Sequence, residues 1–452
     1  MGNYQGYQKY KDSGVEWLGD IPEHWEVKRF KFLLSEPFKY GANEAAEIDD
    51  PNLPRYIRIT DVKDDGNLRD DTFRSLPEEI AKDYILEESD ILLARSGATV
   101  GKTFIYRKSW GKAAYAGYLI RARVSGQNNS NFIYKFLQSK LYWDWVKSIF
   151  IQATIQNISA EKYSNLFITI PPLNEQEKIA QFLDYKTKQI DELIKKKETL
   201  IEKLDEKRTA IISHAVTKGL DSSVPMKDSG IEWLGNIPEH WKSIRIKFIG
   251  DIKYGLGEPP EQLDDGLPII RATDIYRGII DGSKVQRVNP DKVPWSRNPE
   301  LKVGDILVVR SGAYTGDSAI VPDEWAGAIA GYDMVLTPTK AYSKYIALNL
   351  LSKHILEGQI YLAKSRAAQP HLNAEELGNT IICLPPIKEQ KLISQYLDQK
   401  TTQIDQQKAK IKQAIELLKE YRTSLITNAV TGKIDVSQIA IPSPQKPQPQ
   451  KG

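Results

Sequence analysis

The sequence predicts an α+β chain of two tandem modules of mixed α/β character, short strands with small helices, each closed by a long helix. Three observations predict it. The stretch from Ile170 to Val216 returns as Leu384 to Val430 at an offset of 214 residues, without a gap. The opening YKDSGVEWLGDIPEHWEVKRFKFL, Tyr10 to Leu33, returns as KDSGIEWLGNIPEHWKSIRIKFI at Lys227 to Ile249, offset by 216. Between tag and helix, each copy carries short β-rich runs in the same order, so the chain is an internal repeat rather than one long fold.

The helices rest on spacing. Ile179, Leu183, Lys186, Ile190, Leu193, Lys197, Leu200, Leu204, Lys207 and Ile211 step by alternating fours and threes, which draws one mostly apolar seam. The second copy repeats it with Ile393, Leu397, Lys400, Ile404, Gln407, Ile411, Ala414, Leu418, Tyr421 and Leu425. A seam of this width suits a partner helix better than a globular core. One such helix alone reads as a generic coiled coil; two in one chain read as a pair that packs on itself. Pro171-Pro172 and Pro385-Pro386 favour extended backbone and mark where each helix can begin. Asn174 and Glu177 have the spacing of a capping box, whereas Lys388 takes the first of those positions in the second copy.

Composition narrows the class. A chain of 452 residues is too long for one ordinary domain, and its 41% hydrophobic residues suffice for real cores. A formal charge of +3 does not by itself announce a nucleic-acid binder. The one cysteine, Cys383, allows neither an internal disulfide nor a zinc cluster, which fits a reducing cytoplasm. No signal sequence opens the chain and no run of about 18 apolar residues occurs, so no membrane is expected.

In order, the boundaries read as an N-terminal tag at 1–21, a first module at 22–157 and a helical spacer at 158–222. A linker with the repeated tag follows at 223–237, then a second module at 238–371 and a second helical spacer at 372–432. The tail at 436–452 is rich in Pro and Gln and is expected to be disordered. Within the modules RYIRITDV, DILLAR, GYLIRARV and NLFITI read as strands, matched by LPIIRATDI, DILVVR, GYDMVLT and NTIICL. Short helices are expected over Phe132–Ser148 and Ser343–Leu356. Between these anchors the two middles differ freely, as two modules with one task and different targets would. The tag residues Trp17, Trp25, Trp233 and Trp241 read as packing anchors, and His24 and His240 as structural.

Chemistry finds little footing. SGATVGKT, Ser96 to Thr103, resembles a phosphate-cradling loop, but three residues rather than four separate Gly97 from Gly101. Its counterpart SGAYTGDS puts Asp317 where Lys102 stands, so a shared tight turn is the better reading. Arg95 and Arg310 beside it either touch phosphate or brace the turn. The five histidines sit singly, without metal-ligand spacing, and no carboxylate pair stands out from a solvated face. No catalytic residue, metal or cofactor is assigned to this chain.

Nucleic-acid contact is suggested by arrangement. Positive and aromatic groups recur at matching places: Lys39 and Tyr40 with Lys253 and Tyr254, Arg58 with Arg271, and Arg95 with Arg310. Such pairs could hold backbone phosphates. Base readers would then be unmatched residues: Arg69, Arg74, Lys102, Arg107 and Gln156 in the first module, and Arg277, Arg287, Arg297, Tyr314 and Gln369 in the second. Each of these is also at home as a solvated surface side chain.

Two variable middles, each closed by a Pro-Pro-(Leu/Ile)-x-Glu-Gln helix, resemble the specificity subunit of a type I restriction-modification enzyme. The tag Ser-Gly-(Val/Ile)-Glu-Trp-Leu-Gly-x-Ile-Pro-Glu-His-Trp, at Ser13–Trp25 and Ser229–Trp241, is similar to the family's module starts. The resemblance implies that each middle is a target-recognition domain and that the long helices form an antiparallel coiled coil with a pseudo-two-fold relation. It implies double-stranded DNA, two methyltransferase subunits and restriction (translocase/endonuclease) subunits as partners in phage defence. S-adenosylmethionine would then sit in the methyltransferase, and ATP and Mg in the restriction subunit. Antiparallel helices would give each module half of a split site. The 37 residues from Ile179 to Ala215 span about 55 Å, which caps the module separation near about 16 base pairs. Other readings are a coiled-coil scaffold presenting two modules to protein partners, or the recognition subunit of a related single-complex restriction enzyme.

Overall fold

The computed structural model describes residues 4–63, 66–97, 99–151, 157–360 and 371–442. The Pro/Gln-rich segment from 443 onward, Gln156 and Gln369 lie outside the described residues. Two long helices, Leu173–Lys218 and Ile387–Val430, begin directly after the two di-prolines. The chain falls into two compact units, one of 1–197 with 413–452 and the other of 198–412, so each unit takes part of both helices.

In the first unit a four-stranded antiparallel sheet runs in the order Lys39–Tyr40, Leu119–Ala122, Ile91–Ala94, Thr103–Ile105. Arg55–Ile57 pairs in parallel with Ala113–Tyr115 beside it. The second unit repeats this order with Gly250–Tyr254, Met334–Pro338, Ile306–Val308 and Ser318–Ile320. Its parallel pair is Gln262–Ile270 with Ile329–Ala330. The expected strands are therefore present, although RYIRITDV turns after Ile57 into a single helical turn at Ile59–Asp61. The Phe132–Ser148 segment is two helices, Ser130–Phe136 and Lys140–Ile151. Its counterpart forms Ser343–Leu350 and Lys353–Ile355.

Both helices pair antiparallel within each unit. In the first unit Arg422 Nε donates to Asp191 at 2.9 Å. In the second, Arg208 donates to Asp405 at 3.2 Å and Lys408 to Asp205 at 2.5 Å. Asp191 and Asp405 are repeat equivalents, as are Arg208 and Arg422, so one interaction occurs twice with its partners exchanged. The seam lies one residue from the expected positions at every second step. Leu193 is 43% and Leu200 48% exposed, while Ile194 and Ile201 face inward. Thr187 and Thr401 likewise replace Lys186 and Lys400, because the four-residue step falls before the three-residue step.

The first core gathers Trp25, Phe30, Phe132, Phe136, Tyr142 and Tyr163 around Ile179 and Leu183, and is completed by Leu425, Ile426 and Val430 of the other repeat's helix. The second does the same with Trp241, Ile246, Tyr345, Ile393 and Leu397, completed by Ile212, Ala215 and Val216. Cys383 lies in this core, where burial pushes its thiol up to about 12. Among the described residues no helix is long and apolar enough to cross a membrane.

The repeated motifs now have physical roles. Glu175 accepts Trp25 Nε1 at 3.0 Å and faces His24 Nε2 at 2.9 Å; Glu389 takes Trp241 and His240 at 3.1 and 2.8 Å. The tag's His-Trp pair thus grips the first-turn carboxylate of the long helix. The following Gln176 donates to Pro171 O and accepts Asn129 N–H; Gln390 does so with Pro385 and Tyr342. The capping box expected of Asn174 and Glu177 does not form. The helix already starts at Leu173, so Asn174 lies inside its first turn and the acidic role passes to Glu175. Gly219 and Gly432 end the two helices at φ +78° and +73°, and a Cβ on Gly432 would strike the Pro22 ring.

Candidate nucleic-acid interface

In each module the strand that ends at Ala94 or Val308 delivers an arginine to the sheet's edge. The Arg95 guanidinium lies over the Tyr40 ring at 4.7 Å. Arg310 lies over Tyr254 at 4.6 Å and over Tyr332 at 4.2 Å. Each supporting tyrosine is fixed at its far end, the Tyr40 hydroxyl oxygen accepting Ala160 N–H at 3.0 Å and the Tyr254 hydroxyl oxygen accepting Ala374 N–H at 2.9 Å. Gly41 and Gly255 follow those tyrosines because a Cβ there would meet backbone carbonyls of the neighbouring strand. The Lys-Tyr-Gly repeat is therefore a shaped cradle for one arginine. The Nε of both Arg95 and Arg310 is buried without a partner among the described residues, so ring contact holds the cation while its donors stay unspent.

The other matched cations are engaged. Arg58 binds Asp61 through Nε and Nη2 at 3.1 and 2.8 Å and reaches Thr72 O. Arg271 repeats this more loosely with Asp274. Lys39 donates to Asp83 O and Lys253 to Asn298 O. Among the unmatched candidates, Arg74 is held by Ala46 O and Phe73 O, Arg107 by Glu88 and Asn131, Arg277 by Asp205, and Arg287 by Gly266 O. Arg69 and Arg297 are exposed, as are Lys102 and Tyr314. The structure thus gathers Arg95 with Tyr40, and Arg310 with Tyr254, and scatters the rest.

The glycine loop is a turn. Gly97, Gly101, Gly312 and Gly316 all have φ between +82° and +91°. Val100 N–H goes to Gly97 O and Gly101 N–H to Ala94 O, so these amides serve the turn rather than a phosphate. Arg95 O accepts Ile158 N–H and Arg310 O accepts Leu372 N–H, each at 2.8 Å, which ties the cradle to the segment leading into the long helix.

Asp333 escaped sequence reading. It occupies the place of Leu119 in the aligned AGYLI and AGYDM, is 1% exposed, and accepts Arg310 N–H at 3.2 Å. A charge at an inward strand position, seen against its apolar counterpart, was the signal.

Two like modules therefore each present an arginine on a tyrosine platform, and each packs on parts of both long helices. The chain belongs to the type I restriction modification DNA specificity domain family, whose model matches it twice, at residues 22–203 and 238–417. The type I restriction enzyme MjaVIII specificity subunit of Methanocaldococcus jannaschii is 25% identical over 445 residues, covering 96% of this chain and 98% of that one. The EcoKI specificity subunit of Escherichia coli K12 is 24% identical over 439 residues, covering 92% and 90%. A chain from a solved type I R-M system shares the fold at a TM-score of 0.69 and 15% identity, over 92% of this chain and 99% of that one.

Proposed function

We propose that this subunit reads a bipartite DNA site, one half per recognition domain, and directs adenine methyltransferase and restriction subunits to it in the cytoplasm. The observation that carries this reading is the doubled Arg-on-Tyr cradle, Arg95 on Tyr40 and Arg310 on Tyr254, set among side chains that differ between the modules. A cation held by ring contact keeps its donors for phosphate, while the differing neighbours can address base edges. The subunit itself is non-catalytic: S-adenosylmethionine belongs to two methyltransferase partners, and ATP and Mg to the restriction partner. Residues 22–157 and 238–371 are the recognition domains in this reading, and the helices set the unread spacer.

The test is a modified-base map of DNA from a methylation-free host carrying this chain with its methyltransferase partner. A split motif with methyladenine in each half is expected, and exchanging residues 22–157 should change the first half alone. An assembled complex that leaves no motif, or binds DNA without salt dependence, would refute the proposal.

A further inference from the structure

The second module holds a cavity of about 200 Å³. Leu256 and Ile269 give it an apolar lining, Tyr332 an aromatic one, and Arg271, Thr273, Ser311 and Asp333 its polar groups; the Arg271 guanidinium is already paired with Asp274. Several waters would fit such a volume. Asp333 is 1% exposed; Oδ1 accepts Arg310 N–H, while Oδ2 is buried with no partner among the described residues.

An unpartnered buried carboxylate oxygen is costly. The fold does not require it, because the first module places Leu119 at the same strand position and lets Arg95 N–H bond Tyr118 O instead. Strand order and the Arg-on-Tyr pair, Arg95 on Tyr40 and Arg310 on Tyr254, are the same in both modules. Burial raises the carboxyl to about 6, opposed by the Arg310 amide and charge and by the Ala272 amide, and helped by Asp274. At neutral pH the group is therefore mostly an acceptor in search of a donor. The exposed Tyr332 ring, fixed under the Arg310 guanidinium at 4.2 Å, offers a flat face beside it.

Resting on the DNA-reading role, we propose that this cavity receives one nucleobase taken out of the stack in the second half-site, its exocyclic amine donating to Asp333 and one face lying against Tyr332. Apolar walls, an aromatic face and an acceptor for the Watson–Crick edge are what an extruded base requires. The acceptor favours a base that carries an exocyclic amine, cytosine, adenine or guanine; thymine, whose N3–H lies between two carbonyls, would meet the carboxylate mainly with like polarity. The first module, with Leu119 in that position, reads its half without such a pocket.

The experiment uses the chain with its methyltransferase partner. The methylated motif is mapped for the native chain, Asp333→Asn and Asp333→Leu, the last being the first module's own residue. Both variants should relax a single cytosine, adenine or guanine position in the second half-site, lowering its discrimination roughly 5- to 150-fold, with the first half unchanged. Synthetic sites carrying 2-aminopurine next to that position should then brighten on binding the native complex and stay dim with Asp333→Leu. Unchanged motifs in both variants, beside an intact native motif, would overturn the pocket and leave the DNA-reading role standing. A relaxed position without brightening would equally overturn it, since Asp333 would then read a stacked base. Failure of the native complex to leave any motif would defeat the DNA-reading role and this inference together.

Discussion

Asp333→Asn is expected to stabilise the second unit near neutral pH and to uncover an acid sensitivity that the native chain hides. A carboxyl raised from 3.8 to about 6 favours the folded state when protonated. Its contribution is complete below the unfolded value and is lost as the pH rises through about 6. At roughly 1.4 kcal/mol per pH unit, the ionised group costs the second unit about 3 kcal/mol at neutral pH. The asparagine keeps an acceptor for Arg310 N–H but leaves an amide N–H unpaired where Oδ2 stood, which returns about 1–2 kcal/mol. A net gain of about 1–2 kcal/mol remains.

His354 acts in the opposite sense. Its two ring nitrogens are buried without partners among the described residues, the ring stacks on Trp233 at 6.1 Å, and burial lowers its pKa to about 4. Here the folded state favours the neutral form, so stability present above about pH 6.5 is lost as the pH falls toward 4, by on the order of 3 kcal/mol. Between about pH 6 and pH 4 the Asp333 and His354 slopes oppose each other, and together they leave the native profile nearly flat. Asp333→Asn removes one slope. Urea melts of the full chain from about pH 7.5 to about pH 4.5, with hydrogen exchange at Ile306–Val308 reporting the second unit, should show the variant above the native chain at neutral pH and below it in acid. A variant already less stable at neutral pH, or one with a profile parallel to the native one, would refute the reasoning.

Other consequences can be checked separately. Glu175→Gln should loosen the Tyr10–Asp12 hairpin and Glu389→Gln the Met226–Asp228 hairpin, each by about 1–3 kcal/mol and each without the other, read by local hydrogen exchange. Arg95→Met and Arg310→Met should each weaken DNA binding and lower the salt slope by about one, measured by titration of the assembled complex at several salt concentrations. On the helices, Leu193→Gln and Leu200→Gln should change stability by less than about 0.5 kcal/mol, whereas Ile194→Ala and Ile201→Ala should each cost about 1–2 kcal/mol in chemical denaturation.

Much of the frame was legible because it occurs twice. The repeat located both long helices, the strand runs and the tags without reference to any partner. The phase of the seam was not legible, since Leu193 stands beside Ile194 and Leu200 beside Ile201, and either phase offers an apolar stripe. Only the facing helix chooses, through pairs such as Asp191 with Arg422. The cation candidates show the same limit. Nothing in the sequence says that Arg58 is occupied by Asp61 or Arg277 by Asp205 while the donors of Arg95 stay free. That depends on which acceptors the fold brings near, and sheet pairing over long sequence distances decides it.

The division between repeated and unmatched residues has a physical consequence for how new specificity can arise. The attachments found in both modules run through repeated residues: Trp25 or Trp241 to the helix-start glutamate, Gln176 or Gln390 to the di-proline, Gly432 or Gly219 against the tag. The cores are completed by helix residues that also repeat, such as Ala215 with Ala429 and Val216 with Val430. The residues that differ, Leu119 against Asp333 foremost, lie on strands or directly beside them, between these attachments. A change there alters what the module offers to DNA at a local cost of a few kcal/mol, without touching the contacts that hold the module in place. Stability of the frame and variation of the reading surface are therefore separable, because they rest on different residues.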